Sequence, residues 1–373
     1  MTLRRLFCGG SATSVPPPGY LDAGGPSDAC PVPMKAAVYT GNRTVVVEER
    51  PVPVPSTGEV VIAVEYCGIC GTDLHSVMEG WGRPGAILGH EYSGRIAAVG
   101  PGVGGWAVGD EVTAEPGRVC GTCEFCAGGR PSLCREYMAL LLAGAWPGAF
   151  AEFVPVSASQ LHRIPPGLGP RAAALTEPLA VALHAITRSR FARGQAALVT
   201  GAGPLGCLHV AALKAMGAGR VIVSEPSPAR RAATYAAGAD RVVAPQEFDP
   251  PESPLLEADD AVDVAFECSG NPAAFTAALA QLRPGGTLVI VGTGMVRPEL
   301  DHHRVIVKEL IVTGALNYDA TGFDDALRLL GSGALPVDAL IAPGAVPLAS
   351  IMPAMEDLAA GHTAAKVLVA PGG

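Results

Sequence analysis

Residues 195–217 read QAALVTGAGPLGCLHVAALKAMG, an apolar strand, a glycine-punctuated turn and an apolar helix in succession. Gly201, Gly203 and Gly206 stand at GxGxxG spacing between the strand and the helix, the context in which that pattern indicates a dinucleotide loop. Gly201 permits the tight turn, Gly203 lets backbone approach a pyrophosphate, and Gly206 lets helix and strand close. Pro204 and Leu205 complete the loop, and the helix N-terminus offers unpaired N–H groups and partial positive charge to phosphate. Nineteen residues past Gly206, Glu225 ends the next apolar run, RVIVSE. A carboxylate there accepts ribose hydroxyls and repels a 2′-phosphate, so NAD is expected over NADP. Arg230 and Arg231 weigh the other way, since a nearby arginine serves a 2′-phosphate.

Further apolar runs (DVAFECSG, GTLVIVG, LIVTGAL) alternate with helical stretches ending at glycine, which gives a parallel, doubly wound sheet. Upstream the rhythm differs. From Met34 to about Val156, MKAAVYT, RTVVVEER, EVVIAVEY, YSGRIAAVG and DEVTAEP are short β-branched runs broken by Gly and Pro, as in an antiparallel, barrel-like unit. The tail AVPLASIMPAMEDLAAGHTAAKVLVAP (345–371) holds one helix and a closing strand. Residues 1–33 are rich in Pro, Gly, Ser and Asp and are expected to be a disordered extension.

The 373 residues carry a net charge of -9 with no basic cluster, which excludes a nucleic-acid surface. No apolar run approaches the roughly 20 residues of a spanning helix. Ten cysteines are too few for a disulfide scaffold, and four fall within residues 120–134, so metal and a reducing, cytoplasmic setting are expected.

Those four, Cys120, Cys123, Cys126 and Cys134, form CxxCxxCx7C. Thiolates at this spacing converge tetrahedrally on one structural Zn²⁺. A ferredoxin segment shares the first three positions but continues differently, which makes an iron–sulfur cluster the minor reading. A closed thiolate site performs no chemistry, so a second metal site is sought elsewhere. Cys70 lies nearest in sequence to a His-Glu pair, His90 and Glu91 of GHEYSG, and Glu177 stands in TEPLAVALH. One thiolate, one imidazole and one or two carboxylates make an open catalytic zinc site. Singly, each has a simpler reading: a small buried thiol, a turn histidine, acids in a strand or a helix's first turn.

CGICGTDLH (67–75), GHEYSG, GDEV, the four-cysteine run, GAFAEFVPVSASQLHRIPPGL, TEPLAVALHAI, GAGPLG and ECSG occur in this order. Together they resemble the zinc-containing medium-chain dehydrogenase/reductase family, most of all its polyol branch of sorbitol, butanediol and threonine dehydrogenases. The resemblance runs from Met34 onward. It implies two zinc ions per chain, the catalytic one on Cys70 and His90, with Glu91 and Glu177 binding the metal or its water. It also implies that Thr72 and His75 relay the alcohol proton and that Asp73 orients His90. The implied fold is a GroES-like β-barrel catalytic domain (34–185, completed by 317–373) with an inserted Rossmann NAD-binding domain (186–316). The implied reaction is oxidation of a secondary alcohol, a polyol, diol, amino alcohol or cyclitol, to the ketone. Members pair as homodimers or homotetramers through the sheet of the NAD domain, here expected at GGTLVIVGTGM. Zinc-free quinone or enone reductases of the same fold, and non-catalytic relatives, lack part of this residue set. Trp81, Trp146, Leu142 and Tyr318 are pocket candidates by neighbourhood alone, packing being the simpler reading, and His184 is read as a packing residue.

Overall fold

The computed structural model describes residues 32–144, 146–248 and 251–373, with the side chains of Leu142 and Ala143 also outside the description. The expected N-terminal extension lies outside the described residues except at its end. There β1 begins at Pro33, one residue before the expected boundary, paired with Pro51. Proline is tolerated at the first position of such a strand because no ladder bond is lost.

The first unit is antiparallel. Strands β1 (Pro33–Gly41) and β2 (Thr44–Pro51) form a hairpin. A larger sheet holds β3 (Glu59–Gly68), β4 (Glu91–Val99), β5 (Glu111–Ala114), β6 (Phe153–Ser157) and β7 (Leu161–Arg163). Its order is β14-β3-β4-β5-β7 with β6 also on β3, where β14 is Leu368–Val369. The C-terminal segment therefore returns to this sheet, placing Val369 opposite Cys67 and Leu368 opposite Gly68.

The second sheet is parallel: β8 (Ala196–Thr200), β9 (Arg220–Ser224), β10 (Arg241–Val243), β11 (Val262–Glu267), β12 (Leu282–Ile290) and β13 (Ile311–Gly314). The order β10-β9-β8-β11-β12-β13 reverses direction between β8 and β11, the switch point at which such sheets bind dinucleotides. Its apolar runs are buried on both faces. Val199, Val221, Val223, Phe266 and Val289 pack on one side with Leu208 and Ala211 of the helix Pro204–Ala215. Their neighbours Leu198, Ile222, Ala265 and Leu288 pack on the other with Phe275 and Leu279. Each fully buried Val, Leu, Ile or Phe contributes roughly 1.5–3 kcal/mol, which is why these strands do not alternate with polar residues.

One expectation is corrected here. The run GGTLVIVGTGM is not the sheet edge, because β12 is paired on both sides, with β11 and with β13. The edge is β13, whose Ile311 is exposed together with Ile306, Val307 and Leu316 around it. Among the described residues no helix is long and apolar enough to cross a membrane.

Candidate active site

Strand β3 ends at Gly68, and two residues later Cys70 caps the helix Gly71–Met78 with extended backbone. The Cys70 N–H donates to Oδ2 of Asp73 (2.9 Å), and the Gly89 N–H donates to Oδ1 (3.2 Å). One buried carboxylate thus fastens the helix start to the turn that carries His90. Gly89 has φ +90°, and a Cβ there would lie 2.7 Å from the Phe150 ring and 2.8 Å from Sγ of Cys67, so the turn requires glycine. His90 Nδ1 lies 3.6 Å from Asp73 Oδ1, which leaves Nε2 as the nitrogen for a metal. Burial opposes charge on His90, but Asp73 first, then Cys70 and Glu177, outweigh it and hold its pKa well above the usual imidazole value. Cys67, fully buried, has its thiol pushed well up by burial and stands outside the donor cluster.

Cys70, His90 and Glu91 each direct one donor atom into a cluster within 4.8 Å of one another. Glu91 is 1% exposed and meets a partner the sequence reading missed. Lys366 Nζ donates to its Oε1 (2.7 Å) and to the Ile69 carbonyl (3.1 Å). Burial works against the Lys366 charge, but Glu91 foremost and then Cys70 and Glu177 raise its pKa. The second carboxylate oxygen of Glu91, Oε2, is as near to Nζ yet outside hydrogen-bonding geometry and has no other bond. A buried carboxylate whose oxygen lies within 4.8 Å of a thiol and an imidazole fits a zinc ion, whose ligands are these donor types. Glu177 is not part of the tight group of three. It lies buried in the first turn of the helix Thr176–Arg188, its pKa pushed up to about 7 by burial and then by Glu91 and Asp73, against His90 and Lys366.

Thr72 Oγ1 lies 3.8 Å from Sγ of Cys70. One turn on, His75 has Nδ1 2.9 Å from Glu79 and stacks on Trp81 at 4.6 Å. No hydrogen bond joins Thr72 to His75 among the described residues. Trp81 is half exposed, at the rim of a cleft lined by Gly270, Asn271, Thr293 and Gly294 beyond the carboxyl ends of β11 and β12. Trp146 packs against Tyr137 with the rings tilted (centroids 4.9 Å), and Tyr318 is buried against Phe323. His184 turns to Asp319, 3.7 Å away, rather than to the metal donors.

The second cluster gathers Cys120, Cys123, Cys126 and Cys134 within the same mutual distance of 4.8 Å. Backbone N–H groups of Cys120 and Cys123 point at Sγ of Cys134 and Cys120, both at 3.3 Å. Hydrogen bonds from the Thr122 and Cys123 backbone pull the Cys120 thiol down to about 6, while burial pushes Cys126 up to about 12. Oriented N–H donors that favour thiolate fit a closed zinc site.

In the dinucleotide loop Gly201 takes φ +92° and Pro204 is the first helical residue. A Cβ on Gly206 would lie 1.9 Å from the Gly201 carbonyl oxygen, whereas a Cβ on Gly203 would meet nothing within 4 Å. That open space above the helix N-terminus fits a pyrophosphate. Glu225 is buried, with Oε2 accepting from the Ala202 N–H (2.7 Å) and Oε1 from Ser227 N–H (2.8 Å). It braces the loop as well as standing at its mouth. Arg230, expected at the cofactor, is turned elsewhere. Its Nε and Nη2 donate to the carbonyls of Thr363 (3.0 Å), beyond the helix Ile351–Ala359, and of Leu358 (2.7 Å) in its last turn, where a guanidinium interacts favourably with carbonyls. Arg231 likewise donates to the carbonyls of Glu225 and Pro226.

Residues 56–166 match the alcohol dehydrogenase GroES-like domain and residues 204–332 the zinc-binding dehydrogenase family. The sorbitol dehydrogenase of Bacillus subtilis is 38% identical over 320 residues, covering 83% of this chain and 90% of that protein. The L-threonine 3-dehydrogenase of Pyrococcus furiosus is 37% identical over 305 residues, 79% of this chain and 86% of that one. The crystal structure of 2R,3R-butanediol dehydrogenase from Bacillus subtilis superposes with a TM-score of 0.80 at 32% identity, covering 91% of this chain and 99% of that chain.

Proposed function

The chain belongs to the zinc-containing alcohol dehydrogenase family, and on that premise we propose that it oxidises a secondary alcohol to a ketone with NAD. The observation that carries the reading is the donor set Cys70, His90 and Glu91, each with one ligand atom within 4.8 Å of the others. Zinc bound there supplies Lewis acidity toward an alcohol oxygen, and NAD supplies the hydride acceptor.

The chain's own residues do the rest. Asp73 fixes the ring of His90, and Lys366 holds Glu91 in place by its ammonium. Glu177, buried in the first turn of its helix, lends the pocket a carboxyl group for hydrogen bonding to the substrate. The Thr72 hydroxyl would accept the alcohol proton as it gives up its own, and His75, one turn along the same helix with Nδ1 2.9 Å from Glu79, is the next group toward solvent. Buried carboxyl groups favour a substrate with a second polar group beside the reacting hydroxyl. The named relatives act on a polyol, a hydroxy amino acid and a diol, and we assign this chain to polyols, diols, amino alcohols or cyclitols on that ground.

Cys120, Cys123, Cys126 and Cys134 hold a second, structural zinc. Glu225 disfavours a 2′-phosphate, and with Arg230 drawn to the C-terminal segment no guanidinium from that position offsets it, so NAD is preferred over NADP. The catalytic unit comprises 34–185 and 317–373, the NAD unit 186–316, in a cytoplasmic homodimer or homotetramer joined along β13.

The test is metal analysis of the purified protein together with NADH formation over a panel of polyols, diols, amino alcohols and cyclitols, repeated with NADP. Two zinc equivalents and turnover that vanishes in Cys70→Ala are expected. Full activity in that variant would overturn the site.

A further inference from the structure

The turn at 317–319 follows the edge strand β13 and is gripped three times by one neighbour. The Tyr137 hydroxyl donates to Oδ1 of Asn317 (3.1 Å). Arg130 Nε donates to Oδ2 of Asp319 (3.0 Å), and the Ser132 N–H donates to its Oδ1 (3.2 Å). All three donors belong to the four-cysteine lobe: Arg130 and Ser132 lie between Cys126 and Cys134, and Tyr137 is in the helix Arg135–Ala143 that leaves the last cysteine. The grip holds Asn317 at φ +55°, a left-handed conformation that a non-glycine residue adopts only when its surroundings compensate. Between the two gripped residues sits Tyr318, 7% exposed, its hydroxyl buried without a partner. Tyr318 packs in the same buried cluster as Leu175, Leu179 and Ala180, the neighbours of Glu177 in sequence, and Asp319 Oδ2 lies 3.7 Å from Nδ1 of His184 on the Glu177 helix.

We propose that the four-cysteine lobe positions the active-site wall, with Asp319 as the positioning residue that transmits the lobe's geometry to Tyr318. The metal-closed loop 126–134 presents a guanidinium and a backbone N–H at fixed separation, and Asp319 reads both with its two oxygens. A loop that lost its metal would lose that separation and release the wall. This deepens the dehydrogenase reading and rests on it only for its kinetic consequence.

The experiment compares the wild type with Asp319→Ala, Arg130→Gln, Cys123→Ser and the charge exchange Arg130→Asp with Asp319→Arg. Zinc content and amide hydrogen exchange are measured for each, with kcat and KM for the alcohol that the panel identifies. Asp319→Ala and Arg130→Gln are expected to keep both zinc ions and to exchange faster at 315–322 while 120–134 stays protected. Their KM is expected to rise about tenfold with kcat changed far less, the scale of one half-exposed charge-assisted hydrogen bond. Cys123→Ser should lose one zinc and show the same faster exchange at 315–322, and the charge exchange should recover KM and protection only in part, since an arginine at 319 has no acceptor for the Ser132 N–H. Unchanged exchange at 315–322 in Asp319→Ala and Cys123→Ser overturns the proposal. If no alcohol is turned over, the dehydrogenase reading fails, and the exchange measurement still decides the positioning role.

Discussion

Lys366→Met removes the ammonium that faces Glu91 while keeping an unbranched side chain of similar length. The pair is 3% and 1% exposed, so neither charge is compensated by water. Removing one partner of such a pair costs about 3–5 kcal/mol, because the remaining charge stays buried. Here the remaining carboxylate also faces Asp73 and Glu177, and Lys366 is one of the two groups that hold Glu177 down. The upper half of that range is therefore expected for protein stripped of metal with a chelator. Removing both partners, in Lys366→Met with Glu91→Leu, leaves an apolar pair and should restore stability to within about 1 kcal/mol of wild type. Urea unfolding of the four proteins closes a double-mutant cycle; single losses of about 4 and 3 kcal/mol against about 1 kcal/mol for the double give an expected coupling of about 6 kcal/mol. Zinc should then rescue Lys366→Met more than it stabilises the wild type, since a dication supplies the missing counter-charge. Additive single and double variants, or a loss below about 1 kcal/mol in Lys366→Met, would refute the reasoning.

Gly203→Ala meets open space, so its melting temperature should match wild type while the dissociation constant for NADH rises at least about tenfold, read by fluorescence titration. Gly206→Ala collides with the Gly201 carbonyl and should instead lower the melting temperature and yield of folded protein. His209 is fully buried, and burial pulls its pKa down to about 4, partly offset by the Leu205 carbonyl. The unfolded chain takes up a proton near pH 6.5 that the folded chain refuses until about pH 4. Its contribution to stability is thus present above pH 6.5 and lost as pH falls, at about 1.4 kcal/mol per unit. His209→Leu should flatten the acid limb of a stability-versus-pH curve measured between pH 4 and 6.5, and an unchanged limb would exclude His209 as its source. Arg230→Gln should leave the NAD to NADP preference as it is and loosen the C-terminal segment, seen as faster limited proteolysis there.

What the chain revealed in advance is what short-range pattern encodes. The glycine loop, the alternating strands and the four-cysteine spacing are each set within about twenty residues, so their geometry follows from neighbouring backbone. Lys366 was invisible for the opposite reason: a lone lysine in the apolar run AAKVLVA reads as an interruption, and only the pairing of β14 with β3 brings it to Glu91. Asp319 and Arg130 are 189 residues apart, and neither carries a motif. Arg230 misled because a nearby arginine matches a known chemical role, while the carbonyls that hold it belong to the C-terminal segment more than a hundred residues on. The sheet edge was misassigned because GTLVIVG has the stronger apolar pattern, whereas β13, the true edge, is short and half exposed.

The return of the C-terminal strand to β3 also sets an order of assembly. Glu91 leaves the ribosome 275 residues before Lys366, which at about 5–20 residues per second is a delay of roughly 15–55 s. During that interval β3 has no β14 beside it, and the carboxylate has no counter-ion from its own chain. The parallel sheet between them is finished first and folds from contiguous sequence. The antiparallel unit closes last, so the Cys70, His90 and Glu91 cluster gains its lysine counter-charge only after the whole parallel sheet has been made.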